Sequence, residues 1–171
     1  MGILEQIQEG NAEHARAFDP STLADTPRKK PAIVICMDSR LSVEAITGLK
    51  PGDAHIIRNA GGLVTDDVIR SLLIATEALH TEEVFVINHT GCALTKISPE
   101  QVRDDVRART GKHPETPAGQ PFATWLGAFK DLEENVRAQV QRLRDSLLIR
   151  ANTRVYGFIY HMEDGRLERV V

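Results

Sequence analysis

Ala32-Ile33-Val34-Ile35-Cys36-Met37 is an unbroken apolar run, rich in β-branched residues and too short for a core helix. Apolar residues fill both alternating faces, so the run reads as a strand buried on both sides, the pattern of a parallel sheet. Val84-Phe85-Val86-Ile87 repeats that pattern downstream, and Ala54-His55-Ile56-Ile57 is a shorter strand between the two. Arg154 to Tyr160 reads as a fourth strand, and Leu167 to Val171 as a weak fifth behind the turn Glu163-Asp164-Gly165.

Helical segments separate these strands. Leu41 to Leu49 is a short one, closed by the turn Lys50-Pro51-Gly52-Asp53. Asp66 or Asp67 caps a second that runs through Leu79, with Val68, Leu72, Ala75 and Leu79 on one stripe. A third of about ten residues follows Ser98-Pro99-Glu100. Residues 111–121, rich in proline and glycine, read as a loop. The three-and-four spacing of Phe122, Trp125, Phe129, Leu132, Val136, Val140, Leu143 and Leu147 predicts one long amphipathic helix whose arginines face solvent. At the N-terminus, roughly 2–18 is helical, with Ile3, Leu4 and Ile7 on one side and Asp19-Pro20 as its stop. Residues 19–31, with three prolines and Arg28-Lys29-Lys30, read as an exposed connection.

Alternating strands and helices predict an α/β fold with a central, mostly parallel sheet flanked by helices. A chain of 171 residues suits a single domain spanning 1–171. With 21 basic and 24 acidic residues the formal charge is −3, without the basic excess of a nucleic-acid-binding protein. No apolar run approaches membrane-spanning length. The first residues carry Glu5, Glu9 and Glu13 and do not read as a signal peptide. Two cysteines make no disulfide framework, so the composition reads as intracellular, with a cytoplasmic location expected.

Those two cysteines fall in informative places. Ligand sites in such sheets lie beyond the carboxyl ends of the strands. Cys36 stands at the end of the first strand; His89 and Cys92 stand just past the end of the third. His89-Thr90-Gly91-Cys92 lets one turn present an imidazole and a thiolate to a single ion, and Cys36 would add a third ligand. Two thiolates and one imidazole suit Zn²⁺, and three protein ligands leave a fourth position open, as in catalytic sites. Taken singly, Cys36 reads equally as a small buried hydrophobe and His89 as a structural histidine, and a cysteine redox pair is a further alternative. Asp38 and Arg40 follow Cys36 at alternating positions, so a continued strand would aim all three in one direction. A carboxylate there can accept a hydrogen bond from a metal-bound water, and a paired guanidinium would keep it ionised.

These residues resemble the β-class carbonic anhydrases. The likeness rests on Cys36-Met37-Asp38-Ser39-Arg40, on His55-Ile56-Ile57-Arg58-Asn59-Ala60-Gly61-Gly62 and on His89-Thr90-Gly91-Cys92, over roughly residues 30–97. The resemblance implies Cys36, His89 and Cys92 as ligands of one zinc per chain. It implies Asp38 and Arg40 as the catalytic dyad, and Asn59, Ala60, Gly61 and Gly62 as lining of the substrate pocket. The implied activity is reversible hydration of carbon dioxide to bicarbonate and a proton, by a water that zinc makes acidic. Alternatives on the same scaffold are hydrolysis of carbonyl sulfide or carbon disulfide, or a zinc-binding member with little turnover that serves in assembly. The resemblance also implies a homodimer or larger homo-oligomer, with residues 1–30 packing on the partner subunit, and neither nucleic acid nor membrane as a partner. One position departs from the family: glycine usually follows the second cysteine, and here Ala93 brings a methyl group to that turn while Gly91 precedes the cysteine. His55 and His80 are available as proton relays by residue type alone.

Overall fold

The computed structural model describes residues 2–22 and 27–171. Its five-stranded sheet has the order β2-β1-β3-β4-β5. The strands are β1 (Pro31–Cys36), β2 (His55–Asn59), β3 (Glu83–His89), β4 (Arg154–Tyr160) and β5 (Leu167–Arg169). The first four are parallel, and β5 returns antiparallel on β4. All six residues of β1 are buried, consistent with its double-sided apolar sequence. From β1 the chain steps outward to β2, then crosses back to β3 on the other side, so the gap beyond the ends of β1 and β3 is a topological switch point.

Helices α3 (Asp66–Glu77) and α6 (Leu132–Arg144) cover one face. Val68 and Leu72 from α3, and Val140 and Leu143 from α6, pack there with Ala32, Val34, Val84, Val86 and Val155. Gly157 lets α6 approach β4: a Cβ at that position would lie 2.5 Å from Val136 Cγ1 and 2.9 Å from Val140 Cγ2. The other face carries Ile33, Ile35, Ile87, Leu41 and Val43 under the short helix α2 (Val43–Thr47). Much of that second face lies open as an apolar groove whose lining includes Ile33, Ile46, Phe85, Ile87, Phe158 and Leu167.

Helix α1 (Ile3–Ala17) has no buried residue, and Ile3, Leu4 and Ile7 are exposed. Of the connection read over 19–31, residues 23–26 lie outside those described. The segment expected as one long helix from Phe122 is two: α5 (Phe122–Leu126) and α6. Gly127 ends α5 at φ +71, a left-handed C-cap whose N–H returns to the Ala123 carbonyl. Asp131 starts α6 by accepting from the Glu134 amide at 2.8 Å. Apolar spacing runs straight through both caps, although Phe129 between them packs on the cluster of the second face and Val140 and Leu143 of α6 on the first. Helix α4 (Pro99–Thr110) begins at the Ser98 cap, with proline in its first turn.

Candidate metal centre

Each candidate ligand side chain is placed by a different local cause. Cys36 closes β1. Arg58, on the exposed side of β2, holds the turn that follows: its Nε donates to the Cys36 carbonyl at 3.1 Å and its Nη2 to the Asp38 carbonyl at 2.7 Å. His89 closes β3 fully buried. The turn to Cys92 is anchored on the sheet by Thr90, whose N–H donates to the Tyr160 carbonyl and whose hydroxyl donates to Glu163 at 2.7 Å. Gly91 takes φ +67 in that turn, with open space around it. After Cys92 the chain makes a 3-10 turn over Ala93–Thr95. Ala93 avoids positive φ and its side chain is exposed, so its methyl does not crowd the site.

The Sγ atoms of Cys36 and Cys92 and a ring nitrogen of His89 lie within 4.8 Å of one another, all on buried residues. His89 Nδ1 lies 2.9 Å from the Thr90 carbonyl. A carbonyl only accepts, so Nδ1 carries the proton and Nε2 keeps a lone pair. That Nε2 is buried and has no hydrogen-bond partner among the described residues, an arrangement costly unless something else fills it. The thiols make the same point. The Cys92 thiol beside it, against burial, pulls Cys36 down to about 4, and the backbone amides of Asp38 and Gly61 also favour its thiolate. That pairing, with burial, pushes Cys92 far up. Two adjacent buried sulfurs thus oppose one another's ionisation, and a divalent cation is what allows both to be thiolates. The donor set of two sulfurs and one imidazole fits Zn²⁺.

Asp38 stands beside this cluster, its Oδ2 3.9 Å from His89 Nε2. It arrives by a route other than the expected alternation: β1 stops at Cys36, and Asp38 and Arg40 lie on the turn beyond. Asp38 Oδ1 accepts from the Arg40 backbone N–H at 3.0 Å and from Nε at 2.9 Å, and Oδ2 accepts from Nη2 at 2.7 Å. This two-pronged pairing holds the carboxyl far below the usual carboxylate range.

Asn59 to Gly62 sit behind Cys36. Asn59 uses its whole amide on Leu63, donating to the carbonyl and accepting from the N–H, both at 2.8 Å. Residues Ala60–Gly62 form a 3-10 turn in which Gly61 and Gly62 are buried at φ +76 and +62. A Cβ on Gly62 would lie 2.9 Å from the Cys36 nitrogen. His55 starts β2 and His80 lies beside Lys30 and Thr153, both at the amino edge of the sheet and away from the cluster. Sequence reasoning assigned nothing to Asn88, which donates to the Gly61 carbonyl at 2.9 Å, or to Asn135, which donates to Asn88 at 2.7 Å. Nor did it assign Arg58, whose only signal was its place inside a quoted motif.

Three comparisons carry the description beyond geometry. A family model described as carbonic anhydrase matches residues 32–167. β-Carbonic anhydrase 1 of Mycobacterium tuberculosis is 34% identical over 171 residues, 99% of each chain. The carbon disulfide hydrolase of Acidithiobacillus thiooxidans is 31% identical, over 98% of this chain and 90% of its own. The crystal structure of the carbonic anhydrase from Streptococcus mutans superposes with a TM-score of 0.87 at 37% identity, covering 100% of this chain and 99% of that one.

Proposed function

Because the chain belongs to the β-class carbonic anhydrase family, we propose that Cys36, His89 and Cys92 hold one zinc ion and that Asp38, set by Arg40, is the catalytic residue beside it. The chain is a carbonic anhydrase, interconverting carbon dioxide with bicarbonate and a proton. The observation that carries the site assignment is the buried cluster of two sulfurs and one unpartnered imidazole nitrogen, with the Asp38 carboxylate 3.9 Å away. Bound zinc supplies Lewis acidity that brings a water's pKa towards 7.

The chain's own residues do the rest. Thr90 fixes the His89 tautomer, so Nε2 would be free of a proton to hold the ion. Arg40 fills both carboxylate oxygens of Asp38 from one side and keeps the group ionised. Asp38 then accepts a hydrogen bond from the reacting water and orients its lone pair towards the substrate carbon. Gly62 presses against Cys36 without a side chain, and with Asn59, Ala60 and Gly61 it would border the pocket.

We read the chain as one zinc-binding domain that works as a homodimer. The unburied helix α1 with its exposed Ile3, Leu4 and Ile7, and the open apolar groove over Ile33, Phe85 and Phe158, support packing of residues 1–30 on a partner subunit. Among the described residues no helix is long and apolar enough to cross a membrane. Free thiols serving as ligands suit a reducing compartment, which supports a cytoplasmic location.

The test is stopped-flow hydration of carbon dioxide alongside metal analysis, with carbon disulfide as the competing substrate because hydrolases of that compound share the scaffold. One zinc per chain with rapid hydration, and no sulfide released from carbon disulfide, is expected. A full zinc complement with sulfide release and negligible hydration overturns the substrate reading. Active protein without stoichiometric metal overturns the ligand reading.

A further inference from the structure

The turn behind Cys36 is held by a chain of three side-chain amides drawn from two other elements. Val64 N–H donates to Gln139 Oε1 at 2.7 Å. Gln139 Nε2 donates to Asn135 Oδ1 at 3.1 Å, and Asn135 Nδ2 donates to Asn88 Oδ1 at 2.7 Å. Asn88 Nδ2 donates to the Gly61 carbonyl at 2.9 Å and to the Gly62 carbonyl at 3.3 Å. Asn135 and Gln139 lie one helical turn apart on α6, and Asn88 is the buried residue before His89 on β3.

Both ends of this chain are backbone groups of fixed polarity: an N–H can only donate and a C=O can only accept. Every amide between them therefore has one permitted orientation, all pointing towards Gly61. Reversing any one would set donor against donor at one neighbour and acceptor against acceptor at the other. Aligned amides also polarise one another, which strengthens the series as a unit. What they grip is the Gly61–Gly62 turn, which packs directly against the end of β1 at Cys36. The segment has no slack, since the Cα hydrogen of Gly62 already points at the Cys36 nitrogen, where a Cβ would sit at 2.9 Å.

We propose that Asn88, Asn135 and Gln139 are positioning residues that hold the Gly61–Gly62 turn against Cys36 and thereby fix where this sulfur stands for the metal. The inference rests on the reading of Cys36 as a ligand. Partners that orient and tune ligands typically change metal affinity about 10–100-fold when lost. Asn135 touches none of the ligands itself, and a purely structural role for it would alter stability and leave the metal's electronic spectrum in place.

The test uses the full chain, with cobalt(II) in place of zinc for spectroscopy and zinc itself for affinity. Asn135→Leu keeps the side-chain volume but neither donates nor accepts; Asn135→Asp keeps size and acceptor but has no N–H for Asn88. Both are expected to shift the thiolate-to-cobalt charge-transfer band, because a displaced Cys36 sulfur overlaps the ion differently. Both should also weaken zinc binding about 10–100-fold in competition with a chromophoric chelator. Gln141→Leu, an exposed change on the same helix, should do neither. Should Asn135→Leu not fold, Asn135→Asp carries the measurement. A band and a zinc affinity equal to those of the unaltered chain, in folded Asn135→Asp, overturn the proposal. Cys36→Ser separates this failure from failure of the ligand reading: loss of band intensity there upholds Cys36 as a ligand, and an unchanged band overturns both.

Discussion

Gly62→Ala isolates how tightly the turn is pressed against the end of β1. At φ +62 an alanine incurs the left-handed cost of about 1–2 kcal/mol. Its Cβ would also stand 2.9 Å from the Cys36 nitrogen, 3.0 Å from the Ile35 carbonyl carbon and 3.1 Å from Asn88 Nδ2. The first two are backbone atoms of a fully buried central strand and cannot swing aside as a side-chain tip does. Overpacking of this kind costs about 1–3 kcal/mol more. Gly48→Ala supplies the control: φ is +70, and no heavy atom lies within 4 Å of its Cβ, so only the conformational part applies. The difference between the two variants, about 1–3 kcal/mol, corresponds to roughly 2–12 °C in Tm for a chain of this size. Urea unfolding of the metal-stripped protein measures it directly, with an unchanged m-value as the check that only stability moved. Gly62→Ala should also bind zinc more weakly, because relief of the contact displaces Cys36. Equal destabilisation by the two alanines would refute the reasoning, since backbone strain alone would then explain both.

Three further outcomes are expected. Asp38→Asn should lower carbon dioxide hydration by about 100-fold or more, with zinc still near one per chain, and hydration close to that of the unaltered enzyme would remove Asp38 from its role. Chelation of the metal should lower Tm by roughly 8–16 °C when zinc was present at about 1,000 times its Kd, which a thermal melt with and without chelator measures. His161 is held above its ordinary 6.5 by Glu168 and Glu163. A raised folded-state pKa stabilises fully below the unfolded value and is lost as pH climbs through the folded one. The Tm advantage of the unaltered chain over His161→Gln should therefore be full below about pH 6 and shrink as pH rises above 6.5, and a constant difference would exclude these ion pairs as its source.

The sheet was legible because β1 and the middle of β3, Val84 to Ile87, are unbroken apolar runs. Cys36 and His89 could be placed at its edge once those runs ended. The break at Gly127 escaped notice because apolar spacing continued across it, although Gly127 and the Asp131 cap were both visible signals. Asp38 and Arg40 were paired on an assumption of continued strand, whereas the turn itself joins them, through the Arg40 backbone amide as well as its side chain. The amides of Asn88, Asn135 and Gln139 were illegible for a different reason. Polar residues on an amphipathic helix look solvated, and their partners come from β3 and from the turn after β2, contacts that no local pattern encodes.

The switch point between β1 and β3 also bears on the order of events in folding. His89 and Cys92 are neighbours in any conformation of the chain, but Cys36 lies more than fifty residues upstream. It reaches them only after a crossover containing α2, β2 and α3 has closed and Ile35 has come into register with Ile87. On the proposed ligand set, an unfolded chain offers the ion two donors at most. Zinc arriving early has little to organise, in contrast to small domains that fold around their metal. Its stabilisation then falls on the native side of the barrier: refolding proceeds at nearly the same speed with or without the ion, and the holo-protein's half-life lengthens because the latch must open before the sheet can part.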